Sequence, residues 1–239
     1  MMQDVQPDEG VRFPVHYSEI FQQEDAGNRF RLIRSHVHPK LRGLLVGMLD
    51  ELAETGFADP LAHSRMAREP VTPGLGAEFL QAAHYGLRPQ RMQSGDRPRV
   101  RSSSGRATRD AEFELGFFAS ATGVGLEFFI GGLDALDLFE HVYKVHREDV
   151  DALLLSNRLG VDGPTDRCLV SPRGMIREAR RSGEGWLAIF DPPTPYPLAA
   201  VDAVERYRES FVALYMLYDA MLARAHGRQD SFLSLRAQH

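Results

Sequence analysis

The stretch Glu112-Phe-Glu-Leu-Gly-Phe-Phe-Ala-Ser-Ala-Thr-Gly-Val-Gly-Leu-Glu-Phe-Phe-Ile130 decides the fold. Phe113, Leu115 and Phe117 alternate with Glu112, Glu114 and Gly116, and Leu126, Phe128 and Ile130 alternate with Glu127 and Phe129. A period of two marks half-buried strands, and the pair joined at Thr122-Gly123 predicts a β-hairpin. With those two residues as the turn, Leu115 pairs with Ile130, Phe117 with Phe128 and Ala119 with Leu126, so all six face one side. The carboxylates Glu112, Glu114 and Glu127 then share the other face, with Glu127 opposite Phe118.

Outward from the hairpin, the periodicity changes to that of helices. Leu133, Leu136, Phe139, Val142 and Tyr143 follow Gly131-Gly132 as a helical stripe, and residues 148–157 predict a second helix stopped near Gly160. Cys168 to Ser171 reads as a short strand, Ser171-Pro172 as the cap and first turn of a helix to about Arg181, and Trp186 to Phe190 as a strand. Asp191-Pro-Pro-Thr-Pro-Tyr-Pro reads as a stiff connector into a long apolar helix over 198–225. Upstream, Leu41, Leu44, Leu45, Met48, Leu49 and Leu52 lie on one stripe of a helix, with Pro39 in its first turn and Gly56 as its stop.

Ser18 caps a short expected helix to Glu24, ended by Gly27, and the segment 29–38 reads equally as strand or helix. From Gly56 to Arg109 prolines 60, 70, 73, 89 and 98 predict irregular chain with room for one helix over 77–85. These elements predict the α+β class: one domain over 16–226 with a mainly antiparallel sheet packed by amphipathic helices. A flexible arm over 1–15 and a polar tail over 227–239 flank it.

The chain of 239 residues carries 28 basic and 33 acidic side chains, a net charge of −5, with 43% hydrophobic residues. That balance excludes collagen-like, disulfide-scaffold and bulk-disordered classes, and a protein that coats nucleic acid with its whole surface. Residues 1–10 show neither a basic nor an apolar leader region, no apolar run reaches membrane-spanning length, and the lone Cys168 has no disulfide partner. The expectation is a cytoplasmic protein with no membrane association.

Charge is distributed unevenly. Arg88, Arg91, Arg97, Arg99, Arg101, Arg106 and Arg109 stand against one acid, Asp96, so 88–109 carries +6 and the rest of the chain −11. Only Lys40 and Lys144 are lysines. The guanidinium fork grips phosphate or carboxylate in two bonds, and interleaved Ser and Gly add neutral donors. If 97–101 is extended, Arg97, Arg99 and Arg101 share a face at about 6.7 Å spacing. The segment predicts a site for an anionic ligand or nucleic acid, although aromatics to stack bases are absent from it and Tyr85 is the nearest.

Two other readings stay open. His36-Val-His38 would chelate a metal in a strand but not in a helix, and with the hairpin glutamates it suggests a metal-dependent hydrolase. The apolar last helix offers a homodimer face. No cofactor motif is legible. Gly123-Val-Gly125 lies in the hairpin turn, Gly74-Leu-Gly76 follows no strand, and there is no Walker A loop, Gly-x-Ser-x-Gly elbow or Cys-x-x-Cys.

The order of elements over 30–145 resembles the YktB-like family of bacterial proteins. The likeness runs from the helix after Pro39-Lys40-Leu41 through His63, Arg65, Arg68, Pro70 and Pro73 to Gly105-Arg106. It then includes the hairpin Phe113-Glu-Leu-Gly-Phe-Phe and Leu126-Glu-Phe-Phe. The resemblance implies a single α+β domain with helices around a mainly antiparallel sheet, and it implies no activity.

Overall fold

A computed structural model describes residues 12–54, 61–68, 81–90, 112–163, 172–183, 185–228, 231 and 233. The chain enters as β1 (Arg12–Phe13), α1 (Tyr17–Gln22) and α2 (Ala26–Leu32). Gly27 does not end a helix as expected, because Asp25 caps a new one, its carboxylate accepting the Asn28 amide at 2.5 Å. The ambiguous 29–38 segment is helical throughout. From Ala26 the rod runs through a π turn (Ile33–Val37) directly into α3 (His38–Glu54). There the His38 amide reaches back to the Ile33 carbonyl, and Pro39, with no N–H, has no ladder bond to offer. The expected leucine stripe of α3 is buried from Leu41 to Leu52. Its expected stop at Gly56 lies outside the described residues.

Where 56–109 is described, at 61–68 and 81–90, it holds strands instead of the expected irregular chain: β2 (Ser64–Arg68) and β3 (Ala82–Pro89). The helix expected over 77–85 is therefore a strand from Ala82 onward. Its partner in the sheet overrides local helix propensity there. Ala83 and Leu87 are buried against Ala119 and Leu115, and Gly86 faces Gly116. A Cβ on Gly116 would stand 2.4 Å from the Gly86 Cα, so only this glycine pair lets the two strands meet.

The hairpin forms as β4 (Glu112–Ser120) and β5 (Gly123–Gly131), but two residues out of the expected register. Phe113 pairs with Ile130, Leu115 with Phe128, Phe117 with Leu126 and Ala119 with Val124, and the turn is Ala121-Thr122. A slip of two keeps every side chain on its face, so hydrophobicity cannot distinguish the registers. The decision falls to Gly123, whose φ of +145° and position against the Thr194 carbonyl suit the first strand residue. Glu127 consequently faces Gly116, not Phe118.

After the hairpin come α4 (Leu133–Val145), α5 (Arg147–Ser156), β6 (Gly160–Asp162) and α6 (Pro172–Ser182). Gly160 opens a strand where a helix stop was expected, and the Cys168–Ser171 strand lies outside the described residues. β7 (Trp186–Thr194) extends beyond Phe190 through Asp191-Pro-Pro, where its pairing with β5 is irregular and its neighbour β6 has ended. Prolines are tolerated at such positions. β8 (Leu198–Ala199) pairs with β1, and α7 (Ala200–Ala225) closes the fold. The main sheet has the order β2-β3-β4-β5-β7-β6, and every neighbouring pair in it is antiparallel. The α+β class is as expected.

Helices α3, α4 and α7 cover the sheet face carrying Phe113, Leu115, Phe117, Leu126, Phe128 and Ile130. Phe117 stacks on Phe211 at 5.9 Å, and Tyr218 meets Phe113 edge-on at 5.4 Å. The apolar surface of α7 that offered a dimer face is thus covered within the chain, with Tyr207, Phe211, Leu214, Leu217, Tyr218 and Met221 all buried. Polar ties fix the same helix. Asp191, 2% exposed, accepts from Ser210 and from both Arg206 amino groups, and the Tyr207 hydroxyl donates to the Val124 carbonyl at 2.6 Å. At the ends, Phe13 is fully buried inside the segment expected as a flexible arm, and Leu233 is buried within the expected polar tail. Among the described residues no helix is long and apolar enough to cross a membrane.

Candidate functional site

Where the 26–54 rod passes the outer edge of the sheet, an open pocket of about 530 Å³ lies between α3 and β2. Arg34, His38, Pro39 and Arg42 line it from the rod, Arg65, Met66, Ala67 and Arg68 from β2, and Tyr85 from β3. Arg34, His38 and Arg42 are spaced four apart, which stacks them on one side of a helix. The opposite wall is set by strand pairing, Arg68 standing across from Tyr85 and Arg65 from Arg88.

The edge strand β2 is anchored from within the core. The hydroxyl of Tyr218, a fully buried residue of α7, bonds the Ser64 hydroxyl at 2.8 Å. Gln90 then donates to the Ser64 carbonyl at 3.1 Å, and its amide to the His63 carbonyl at 2.9 Å. These bonds hold a strand that, among the described residues, has a neighbour on one side only.

Electrostatically the pocket is one-signed. Arg34, Arg42 and Arg68 are exposed and make no ion pair with any described carboxylate, the same holds for Arg65, whose strand position turns it to the face of Arg88, and none of the lining residues is acidic. Some other arginines are paired, such as Arg88 with Glu114, Arg206 with Asp191 and Arg228 with Asp219, whereas Arg158, Arg173, Arg177 and Arg224 likewise have no ion pair among the described residues. His38 is the opposite of its neighbours, only 3% exposed. Burial above all, then the charges of Arg68, His84 and Arg34, hold its pKa down at about 4, so the imidazole is neutral at physiological pH. Both ring nitrogens are buried without a hydrogen-bond partner.

The site expected over 88–109 is only partly visible. Arg88 is half-buried and engaged with Glu114 rather than free for a ligand. Arg91, Arg97, Arg99, Arg101, Arg106 and Arg109 lie outside the described residues. The metal-pair reading of His36 and His38 loses its premise, because both are helical: positions two apart point to opposite sides, and His36 is exposed while His38 is buried. Glu114 and Glu127 do not line the pocket, and no group of three or more potential metal-binding side chains occurs among the described residues.

Nothing in the sequence alone marks Arg34 and Arg42 as site residues, and Arg65 and Arg68 stand out only in the family resemblance. Without a helix over 29–38, Arg34-x-x-x-His38-x-x-x-Arg42 is not a row. No protein-family model matches this chain and no curated protein is significantly similar to it.

Proposed function

We propose that the protein binds a phosphorylated or similarly polyanionic small molecule in the pocket between α3 and β2. The observation that carries this reading is the convergence of Arg34, Arg42 and Arg68 on one concavity, beside Arg65 at its edge, with no described carboxylate to neutralise them. Like charges around one cavity repel one another, and an anion carrying several charges relieves that repulsion while receiving forked hydrogen bonds. The volume lies within the range of small-molecule sites, roughly 300–1,000 Å³, well beyond a lone phosphate. Pro39, Met66 and Tyr85 supply apolar and aromatic surface for the organic part of such a ligand.

Calorimetry at low ionic strength tests the reading with orthophosphate, pyrophosphate and an organic bisphosphate. Pyrophosphate should bind about tenfold or more tightly than orthophosphate, and added chloride should weaken both. Arg42→Ala and Arg68→Ala should each cost about 1.5–3 kcal/mol of binding, the worth of a charge-assisted hydrogen bond. Arg147→Ala, at an exposed position on α5 away from the pocket, should change nothing. Absence of binding for all three anions would remove the proposal.

A further inference from the structure

Resting on the anion-binding reading above, we infer that His38 is the residue that contacts the bound oxyanion at the pocket floor, and that it does so as imidazolium, taking one proton from solution for each anion seated. Three observations of geometry carry the inference. His38 lies between Arg34 and Arg42 on the same helical row and lines the same pocket as they do. Among the described residues it is the one side chain whose every polar atom is buried without a hydrogen-bond partner. The π turn Ile33–Val37 ends against it, and such single turns inside α-helices are frequent at functional sites.

A neutral imidazole presents one donor and one acceptor, and burying both unpaired is unfavourable unless a ligand completes them. The surrounding charges define what that ligand must be. Around His38 stand Arg34 from the π turn, Arg42 from its own helix, Arg68 from β2 and Tyr85 from β3, with Arg65 and His84 nearby on the other face of the sheet. Glu114, the nearest acid in the strand pairing, is already engaged with Arg88 and does not line the pocket. With the pocket empty, these cations together with burial oppose a further positive charge. An oxyanion cancels their field and accepts the N–H, so it favours the charged ring. The proton therefore comes with the ligand. By linkage, affinity then falls as pH rises, by up to about tenfold per pH unit, between the imidazole pKa of the free and of the bound protein.

Sulfate is the probe of choice, because its own charge stays fixed between about pH 5 and pH 8 where His titrates. Calorimetry in two buffers of different ionisation enthalpy, at constant ionic strength, should show uptake of up to one proton per sulfate and tighter binding at the acidic end. His38→Gln should still bind sulfate through the arginines, more weakly and without the pH dependence, whereas His84→Gln should keep the dependence. The proton count on the unaltered protein needs no variant to fold. Sulfate binding with no proton uptake, or an uptake abolished by His84→Gln and retained by His38→Gln, overturns the role of His38 and leaves the anion site standing. No sulfate binding at any pH, with none of the phosphates binding either, overturns the anion site itself and this inference with it.

Discussion

Replacing His38 with leucine should make the free protein more stable, and increasingly so in acid. The imidazole is 3% exposed with two unsatisfied nitrogens, and a buried polar group left unpaired costs about 1–3 kcal/mol. Leucine has a similar reach and no polar atoms, and its neighbours Leu41 and Val37 are fully buried apolar residues. In a chain of this size one kcal/mol moves Tm by about 2–4 °C, so a gain of about 2–12 °C near neutrality follows. The pH dependence has a definite sign. His38 has a folded pKa of about 4 against 6.5 when unfolded, so the unfolded chain binds the extra proton first as pH falls. Its contribution is present above the unfolded value and is lost as pH drops toward 4, about 2 kcal/mol of it between pH 7 and pH 5. The advantage of His38→Leu should widen by that amount over the same interval. Urea unfolding of both proteins at several pH values measures the difference directly. A variant that is less stable than its parent at neutral pH, or whose advantage does not grow in acid, refutes the account of His38 as an unsatisfied neutral ring.

Other outcomes follow from the packing. Tyr218→Phe removes the bond to Ser64 and should cost about 1 kcal/mol, with faster amide exchange confined to 64–68 and a weaker grip on anions, since Arg65 and Arg68 ride on that strand. Arg206→Ala leaves the buried Asp191 with Ser210 alone and should lower unfolding free energy by about 2–3 kcal/mol in urea titration, with anion binding unchanged. Gly116→Ala places a methyl 2.4 Å from the Gly86 Cα and should destabilise by about 1–3 kcal/mol or more, because backbone rather than a side chain must give way; a neutral effect in thermal denaturation would contradict the close approach.

The legible parts of this fold are those where periodicity and burial coincide. The leucine stripe of α3 and the helix from Leu133 have one apolar face each, and the faces of the hairpin follow from strict alternation. What alternation does not encode is which of two registers differing by two residues is adopted, and that choice depends on Gly123 meeting Thr194, some seventy residues away. β2 and β3 escaped for a related reason. Ser64–Arg68 has only Met66 and Ala67 as apolar residues and no alternation, being an edge strand held by its β3 ladder and a hydrogen bond from Tyr218, and β3 needs β4 to explain Gly86. Site residues were harder still. Clustering along the sequence pointed to 88–109, whereas the pocket assembles arginines from 34 to 68 that are never adjacent in the chain. His38 was noticed, but for a metal, because its helical setting was not yet known.

The bond from Tyr218 to Ser64 spans 154 residues, and it has a consequence for the order of events during synthesis. Every side chain that lines the pocket is made in the first 85 residues, yet the strand bearing two of the arginines is pinned by the last helix. A ribosome-bound chain that has not yet extruded that helix carries all the lining residues without the clasp that holds β2. On the anion-binding reading proposed above, a chain cut short ahead of Tyr218 should therefore bind more weakly than the whole.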